Sequence, residues 1–434
     1  MRDAKCGTAS GFVACAVTLG LAVLVTGCGS DAPDANHAGS SGASGNGASG
    51  NGASGSDQAG SPGVAASGAS GSGQSGSGAT SNAGAAGGRV AGNPDGSCSA
   101  GIPASGQPAS IANPTTVVGS GSEPSCSFAA LQAAVTQGGV ITFDCGDAPV
   151  TLRVTATLNL PTNKNTVIDG GNKITLDGGK AVQILRFDSA NFQANESSLT
   201  LQHIALCNGK ATPTEAIPDA PAPCSQGWND GQGGALYMRD GNLTVIDVTF
   251  TENQAAPLGP DTGGGAIYIL GSKHGALIVN STFRDNAASN AGGIGGLFSP
   301  LAIYNSLFTG NHATGHDANN NEPSKCSAMN NGQNETGSGG NGGPIYSDGN
   351  SVDVTLCGDQ IVNNKAGVNG FGGGLFFTSN NMMGVLTISD TTMTGNSGGS
   401  WTNVSTGSVT NVGTAVGVNA KSITVTNSTL QGYP

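Results

Sequence analysis

Residues 264–286 read GGAIYILGSKHGALIVNSTFRDN, and this stretch decides the fold. A glycine-rich turn leads into an apolar strand. A second run of apolar residues then ends at Phe283, and Asn286 follows three residues later. Short apolar runs bounded by glycine and asparagine are typical of β-strands joined by turns. The stretch therefore predicts a unit of short strands that closes on an Asn turn.

Both halves of this unit recur along the chain. The glycine-rich half recurs at Gly233-Gly234-Ala235-Leu236-Tyr237, Gly295-Gly296-Leu297-Phe298, Gly342-Gly343-Pro344-Ile345-Tyr346 and Gly373-Gly374-Leu375-Phe376-Phe377. The half that ends in asparagine recurs with Asn253, Asn311, Asn364 and Asn396. The distance from Phe250 to Phe283 is 33 residues, and the distance from Phe283 to Phe308 is 25. Coils of three short strands, with loops of variable length at one corner, account for both lengths.

Alternation along each strand predicts which side chains face inward. Leu243, Val245 and Phe250 are expected to point into the core, with threonines among the outward positions. Asparagine tolerates the left-handed backbone of a tight turn. Stacked asparagines are therefore expected to hydrogen-bond one another between coils.

A short helix is expected to precede the repeats. Ser127 can cap it, Phe128, Leu131 and Val135 share one of its faces, and Gly138 follows it. End repeats of a stacked fold expose core unless a terminal element covers them. We therefore expect this helix to cap the open end.

The stretch from Cys126 onward resembles the pectin-lyase-like superfamily of right-handed parallel β-helices. It is similar to bacterial surface proteins with Gly-Gly-Ala-Ile and Phe-x-x-Asn repeats, such as the passenger repeats of chlamydial polymorphic outer membrane proteins. Residues 166–171 (TVIDGG) and 176–179 (LDGG) also match a frequent opening of such domains. The resemblance implies an all-β fold, a single-stranded right-handed parallel β-helix over residues 97–434, and a groove that takes polysaccharide.

The N-terminus has the parts of an export signal over residues 1–27. Arg2 and Lys5 precede an apolar run from Phe12 to Val25. The run falls short of the roughly 20 residues that a membrane-spanning helix needs. Cys28 follows a small residue, which resembles a bacterial lipobox and predicts lipidation of Cys28. An ordinary secretory signal is the alternative.

Residues 28–96 are almost entirely Gly, Ser, Ala and Asn, so they predict a disordered linker that cannot bury a core. The whole chain contains 74 glycines and carries a net charge of −12. Nucleic-acid binding needs clustered Lys and Arg, and the sequence has no such cluster. The only membrane contact expected is the lipid anchor, in the cell envelope at the outer membrane or cell surface.

Seven cysteines remain after the signal and Cys28, and none forms a C-x-x-C motif. Proximity in sequence predicts the disulfides Cys126–Cys145, Cys207–Cys224 and Cys326–Cys357, with Cys98 left over. Disulfides fit an exported protein.

Two long insertions, 208–232 and 312–341, are expected to flank a shallow groove. Five aromatic residues share one repeat position and are expected to form a column beside Trp228: Tyr237, Tyr268, Phe298, Tyr346 and Phe377. If they face outward, they form a platform for sugar rings. If they face inward, they form an internal ladder. We predict the outward arrangement, because the neighbouring column is more uniformly aliphatic.

Signals for catalysis are few. Glycoside hydrolysis needs two facing carboxylates, and a lyase needs a base, often with Ca²⁺. The candidates near the expected groove are Asp230, Arg239, Asp240, Asp261 and Asp285. Acidic residues are common in surface turns, so these assignments are weak. His312 and His316 could hold a metal only if their segment were helical, and no metal site is predicted.

The sequence therefore predicts a cell-envelope lipoprotein that displays a β-helix for adhesion or glycan binding, without catalysis and without a cofactor. The first alternative is a polysaccharide lyase or glycoside hydrolase that acts between the two long loops. The second alternative is a structural component of the envelope.

Overall fold

The computed structural model describes residues 91–214, 230–318, 338–398 and 416–431, which belong to one compact unit. The predicted signal peptide, Cys28 and the linker up to residue 90 lie outside the described residues, as do Trp228, Cys224 and Cys326. Within the described ranges, the helices are all too short or too polar to cross a membrane.

The described residues form one α-helix, two short 3₁₀ turns and a long series of strands. Helix α1 is Phe128–Gln137, and the 3₁₀ turns are Ala104–Gly106 and Glu123–Ser125. The first strands are β1 (Thr116–Gly119), β2 (Gly139–Asp144), β3 (Val150–Arg153), β4 (Leu158–Asn159), β5 (Thr166–Asp177), β6 (Leu185–Asp188), β7 (Ser198–Cys207), β8 (Leu236–Arg239), β9 (Asn242–Ile246), β10 (Thr249–Thr251), β11 (Ile267–Leu270), β12 (Ala276–Val279), β13 (Thr282–Arg284) and β14 (Ala287–Ala288). The remaining strands are β15 (Ile294–Leu297), β16 (Leu301–Tyr304), β17 (Leu307–Thr309), β18 (His312–Ala313), β19 (Ile345–Gly349), β20 (Val354–Cys357), β21 (Gln360–Val362), β22 (Leu375–Ser379), β23 (Val385–Ser389), β24 (Thr392–Thr394), β25 (Val416–Asn419), β26 (Ser422–Thr426) and β27 (Thr429–Leu430).

The described strands pair in parallel, each with the corresponding strand of the next repeat. β8, β9 and β10 pair with β11, β12 and β13, which pair in turn with β15, β16 and β17. Eight strands form one sheet, here called face 1: β4, β6, β8, β11, β15, β19, β22 and β25. The other strands belong to a larger parallel sheet, except β14 and β18, which pair with each other. The chain is therefore all-β, built of long parallel sheets, and the predicted repeat of three strands is present.

The core lies between the sheets and is continuous along them. Phe250, Phe283 and Phe308 occupy equivalent positions, and their rings stack with centroids 4.8 Å and 4.6 Å apart. Leu243 and Val245, which alternation along the strand places inward, are buried with them. The predicted inward pattern of these strands is confirmed.

A ladder of asparagines runs along the turn that follows each phenylalanine position. Its members are Asn253, Asn286, Asn311, Asn364 and Asn396, all of them buried. The side-chain N–H group of each asparagine donates to the side-chain oxygen of the next, at 2.9 to 3.0 Å. Because each amide also donates to a backbone carbonyl, the ladder satisfies buried polar groups at every repeat. The predicted bonding between coils is confirmed.

Helix α1 forms where the sequence predicts it. The Ser127 hydroxyl accepts a hydrogen bond from the backbone N–H of Ala130, and the helix ends at Gly138, whose φ is 70°. Leu131 and Val135 are fully buried in the same core as the strands. The helix packs against β1 and β4, each of which pairs with a single strand. It therefore covers the first repeat.

Residues 92–109 form a strap that crosses several repeats on the outside of the larger sheet. The Asn93 and Cys98 backbone N–H groups donate to Asn305, and Ala109 exchanges two hydrogen bonds with the side chain of Gln202. The strap brings Cys98 to Cys357, and the two are disulfide-bonded across 259 residues.

The cysteine predictions have mixed outcomes. Cys126 is bonded to Cys145, as predicted. The predicted Cys326–Cys357 pair is wrong, because Cys357 is bonded to Cys98, which was predicted to be left over. Proximity in sequence misleads here because the strap folds back over distant repeats. Cys207 is disulfide-bonded, and its predicted partner Cys224 lies outside the described residues.

Candidate functional site: a cleft at the start of face 1

One column of side chains runs along the outer surface of face 1. Its members are in register from strand to strand: Asn159, Arg186, Tyr237, Tyr268, Gly295, Tyr346 and Phe376. The residues on either side of Tyr237, Leu236 and Met238, belong to the core, and Tyr237 does not. The column therefore points away from the core, as the outward prediction requires.

The predicted membership of this column is partly wrong. Gly295 occupies the position that was assigned to Phe298, and Phe376 occupies the position that was assigned to Phe377. Phe377 faces inward and is fully buried, and Phe298 lies on the corner after β15 against Phe192. Because several glycines stand before β15 and β22, these repeats can be aligned with the others in more than one register. A shift of one residue exchanges the side chains that face inward with those that face outward.

The predicted aromatic platform is also wrong, because the column is covered. Tyr237, Tyr268 and Tyr346 are only 8%, 0% and 3% exposed. The Tyr268 hydroxyl donates to the backbone carbonyl of Asp261 at 2.7 Å, and the Tyr346 hydroxyl donates to Asp348 at 2.9 Å. Burial raises the pKa of both tyrosines well above the usual value. The rings of Tyr268 and Tyr346 lie outside the core but beneath loops, so these two present no open surface to a sugar.

At the first strands of the column, a cleft of about 430 Å³ lies over β4, β6 and β8. The described residues that line this cleft are Thr157, Asn159, Ala181, Val182, Gln183, Arg186, Lys210, Ala211, Thr212, Thr214, Asp230, Gly231, Gln232 and Tyr237. Both described ends of the first long insertion contribute to it. The lining combines amides, hydroxyls, two cations and one aromatic ring.

Arg186 is the best-anchored charged group in the cleft. Its guanidinium lies 4.4 Å from the centroid of the Tyr237 ring and donates to Asp188 at 2.7 Å. A longer bond of 3.4 Å reaches Gln183, whose amide donates to the backbone carbonyls of Gln232 and Gly233. The other neighbour of Tyr237 is Tyr268, with ring centroids 6.3 Å apart and nearly parallel planes. A cation held over an aromatic face in this way is pre-organised.

Asp230 supplies the only carboxyl group among the described lining residues. It accepts hydrogen bonds from the Thr214 backbone N–H at 2.5 Å, the Thr214 hydroxyl at 2.6 Å and the Gly231 N–H at 2.7 Å. Burial acts to raise the pKa of Asp230, but these hydrogen bonds outweigh it and the pKa is lowered. The Asp230 side chain is therefore an ionised carboxylate, and its oxygens are already hydrogen-bonded to Thr214 and Gly231.

The other catalytic candidates do not assemble with Asp230 in the cleft. Asp240 is fully buried at a corner, where it accepts from the backbone N–H groups of Ala194, Asn195 and Gly241. Asp285 is exposed on the turn before an asparagine of the ladder, at the end of a strand of the larger sheet. The remaining two, Arg239 and Asp261, are half-buried, and neither lines the cleft.

A second polar cluster lies at a corner of the larger sheet. His203, which has a φ of 51°, contacts Asp169 at 3.0 Å through Nδ1 and Asp247 at 3.6 Å through Nε2. The hydrogen bond to Asp169 raises the pKa of His203, although burial opposes it. Gln202 joins Asp169 to the strap at Ala109. The space beside His203 is too small to hold a water molecule. The cluster therefore joins the repeats to the strap.

The histidine segment is not helical. His312 begins β18, a two-residue strand, and His316 contacts Asp317 at 2.7 Å. The one cluster of potential metal ligands among the described residues is Cys98, Cys357 and Asp390, and its two sulfur atoms form the disulfide.

Sequence reasoning missed Arg186, Asp188, Gln183, Lys210 and Asn159. The signal for Arg186 is present, because Leu185-Arg186-Phe187-Asp188 has the same alternation as Leu236-Tyr237-Met238-Arg239. Val182 and Gln183, instead of a glycine pair, stand directly before Ile184-Leu185, so the repeat pattern did not include β6.

Compared with protein-family models, curated proteins and solved structures, the chain matches none.

Proposed function

We propose that this protein is a cell-envelope lipoprotein whose right-handed parallel β-helix, of the pectin-lyase-like superfamily, binds a glycan without turning it over. The observation that carries the proposal is the cleft at the start of face 1, with Arg186 held against Tyr237. Small-molecule sites combine an aromatic or apolar surface with a few fixed polar groups. The cleft has this composition.

The cleft lining supports a ligand rich in hydroxyl groups. Asn159 and Lys210 supply amide and ammonium donors, and Thr157 and Thr212 supply hydroxyls. These side chains converge on a space of about 430 Å³, within the range of roughly 300 to 1,000 Å³ that small-ligand sites have. A saccharide offers hydroxyls on every side of its rings and fits this mixture of donors and acceptors.

The carboxyl groups favour binding over hydrolysis. A glycoside hydrolase needs two carboxyl groups on opposite sides of the scissile bond, one of them with a raised pKa so that it can act as an acid. The described lining contains one, Asp230, whose pKa is lowered and whose oxygens bind Thr214 and Gly231. The proposal of an enzyme therefore has no support among the described residues.

The cellular location is supported indirectly. The disulfides Cys98–Cys357 and Cys126–Cys145 are typical of proteins that leave the reducing cytosol. The proposed lipid anchor on Cys28 and the linker up to residue 90 would hold the sheets away from the membrane surface.

The experiment is a screen of the purified, oxidised full-length chain in detergent against an array of glycans, with a parallel assay for released reducing ends. We expect binding without release. Arg186→Ala should weaken binding at least about tenfold, because it removes the cation over Tyr237.

Arg153→Ala is the matched control. Arg153 is also a half-exposed arginine paired with an aspartate, Asp177, but it lies outside the cleft. It should leave binding unchanged. Release of reducing ends would contradict the binding proposal and favour the enzyme, and absence of any glycan binding would favour the structural role.

A further inference from the structure

The cleft is closed on the side toward which the column continues, and this closure restricts what can occupy it. If the proposed glycan binding holds, we infer that the cleft takes the end of a saccharide chain, or a short oligosaccharide. It does not take the middle of a polymer that lies along the repeats.

The closure begins one strand beyond the cleft. Tyr268 follows Tyr237 in the column, and it is fully buried beneath the segment 255–263. Its hydroxyl donates to the Asp261 backbone carbonyl, which fixes this segment over the ring. A chain that ran along the column would meet this segment directly after Tyr237.

The covering segment is joined to the wall of the cleft. The Ala256 N–H donates to the Gly231 carbonyl at 2.8 Å, and the Gly233 N–H donates to the Gly263 carbonyl at 3.2 Å. The Thr262 hydroxyl donates to the Asp230 carbonyl at 3.3 Å. The end of the cleft and its side wall are therefore one hydrogen-bonded unit, with no passage between them.

The side wall is itself fixed to the repeats. The Lys210 N–H donates to the Val182 carbonyl and the Ala211 N–H to the Gln254 carbonyl, at 2.8 and 2.9 Å. Asp230 ties the two ends of the described wall together through Thr214. Among the described residues, the cleft is therefore bounded by the segment 255–263 at one end and by residues 210–214 and 230–232 at its side.

The size of the cleft agrees with a short ligand. Its volume of about 430 Å³ lies toward the lower end of the range of roughly 300 to 1,000 Å³ for small-molecule sites. The column beyond the covered part opens again only at Phe376, which is half-buried and stacked on Tyr346. Two separate openings do not make a continuous groove.

The test is the stoichiometry of binding to linear polysaccharides. The oxidised full-length chain is titrated calorimetrically with amylose, chitosan, hyaluronan and alginate, each as the polymer and as its di- to hexasaccharides. For whichever of these binds, we expect about one protein per chain at every length, and an affinity per chain that stops rising after about three sugars.

The alternative results are distinct. Several proteins on each long polymer, in numbers that grow with its length, would overturn end recognition and leave the proposed glycan binding intact. Binding to none of the four glycans at any length, together with no binding on the glycan array, would overturn the proposed function itself.

Two matched variants locate the ligand on the column. Tyr237→Leu and Phe376→Leu make the same kind of change at equivalent register positions, one in the cleft and one beyond the cover. We expect at least a tenfold loss of affinity for Tyr237→Leu and less than a twofold change for Phe376→Leu. Where Tyr237→Leu fails to fold, Arg186→Ala takes its place, because Arg186 lies over the same ring. Equal losses at both positions would show that the ligand follows the column and would contradict end recognition.

Discussion

The early and the late repeats of this protein have the same arrangement of strands. They differ in the side chains of the outer column of face 1 and in whether these side chains are covered. At β6 and β8 the outer column presents Arg186 and Tyr237 to a cleft. At β11 and β19 the same column presents Tyr268 and Tyr346, which are covered and hydrogen-bonded. The asparagine ladder begins at Asn253, in the repeat of β8, which is the last strand of the cleft. The ladder therefore runs through the late repeats, and the two earlier strands of the cleft, β4 and β6, lie before it.

The largest expected effect comes from the two disulfides, one in each region. Replacing Cys98 and Cys357 together by Ser should lower the free energy of unfolding by about 5 kcal/mol, because the bond closes a loop of 259 residues. The same replacement of Cys126 and Cys145, which are 19 residues apart, should cost about 3 kcal/mol. Urea unfolding without reductant measures both. Equal losses would contradict the assignment of the strap as the tighter constraint.

The second effect concerns the ladder of the late repeats. Asn311→Ala should lower the free energy of unfolding by about 3 kcal/mol, because the buried amide serves two neighbouring asparagines and two backbone carbonyls. Asn163→Ala is the control, since Asn163 is exposed in a turn outside the ladder. It should change stability by less than about 0.5 kcal/mol. Similar losses of stability for Asn311→Ala and for the control would show that the ladder does not stabilise the late repeats in particular.

A third effect depends on pH. Ser281, Ser306, Asp359 and Thr391 occupy successive equivalent turns, and each side chain accepts a backbone N–H from the preceding repeat. Burial raises the pKa of Asp359 to about 8 from a usual 3.8, although the N–H groups of Ser306 and Cys357 oppose the shift. The native protein then holds a proton that the unfolded chain releases.

The contribution of Asp359 is therefore fully present below about pH 4 and is lost as the pH rises through about 8. Between these values the free energy of unfolding should fall by up to roughly 1.4 kcal/mol per pH unit. Asp359→Ser restores the hydroxyl found at the neighbouring turns and should remove this slope. Urea unfolding of both proteins at pH 5, 6.5 and 8 measures the difference. Parallel curves for the two proteins would contradict the assignment.

The smallest effect compares the covered and the open parts of the column directly. Tyr268→Phe should cost about 1 kcal/mol, because it removes a buried hydrogen bond to the Asp261 carbonyl. Tyr237→Phe should change stability by less than about 0.5 kcal/mol, since its hydroxyl has no hydrogen-bond partner among the described residues. Thermal unfolding of the two variants would show whether the column stabilises the fold beyond Tyr237. A larger loss of stability for Tyr237→Phe than for Tyr268→Phe would contradict the comparison.

Local patterns predicted much of the fold. The helix over residues 128–137 follows from Ser127 and Gly138, and the asparagine turns follow from the spacing of the Phe-x-x-Asn motif. Each of these features depends on residues close together in the chain. The register of β15 and β22 could not be predicted in the same way. Consecutive glycines are identical, so the sequence does not show at which of them the turn ends and the strand begins.

The candidate site was predicted less well, and the reason is the distance along the chain between its parts. Asp230 was among the candidates, but its partner Thr214 and the neighbouring Arg186 belong to segments with no glycine-rich repeat. Of the five aromatic residues predicted to face outward, Tyr237, Tyr268 and Tyr346 point away from the core but are buried, and Phe377 points into the core. The burial of Tyr268 depends on the segment 255–263, which is hydrogen-bonded to its hydroxyl and to residues 230–233.

The sequence by itself determined the all-β repeat, the capping helix, the asparagine ladder and the local Cys126–Cys145 bond, because each arises from spacing within or between adjacent repeats. Only the tertiary structure decided the Cys98–Cys357 bond, the register of the outer column and the place where the column is open. These features depend on which distant segments meet when the repeats stack. Side-chain alternation tells which way a residue points, but only the packing of other segments decides whether it meets solvent.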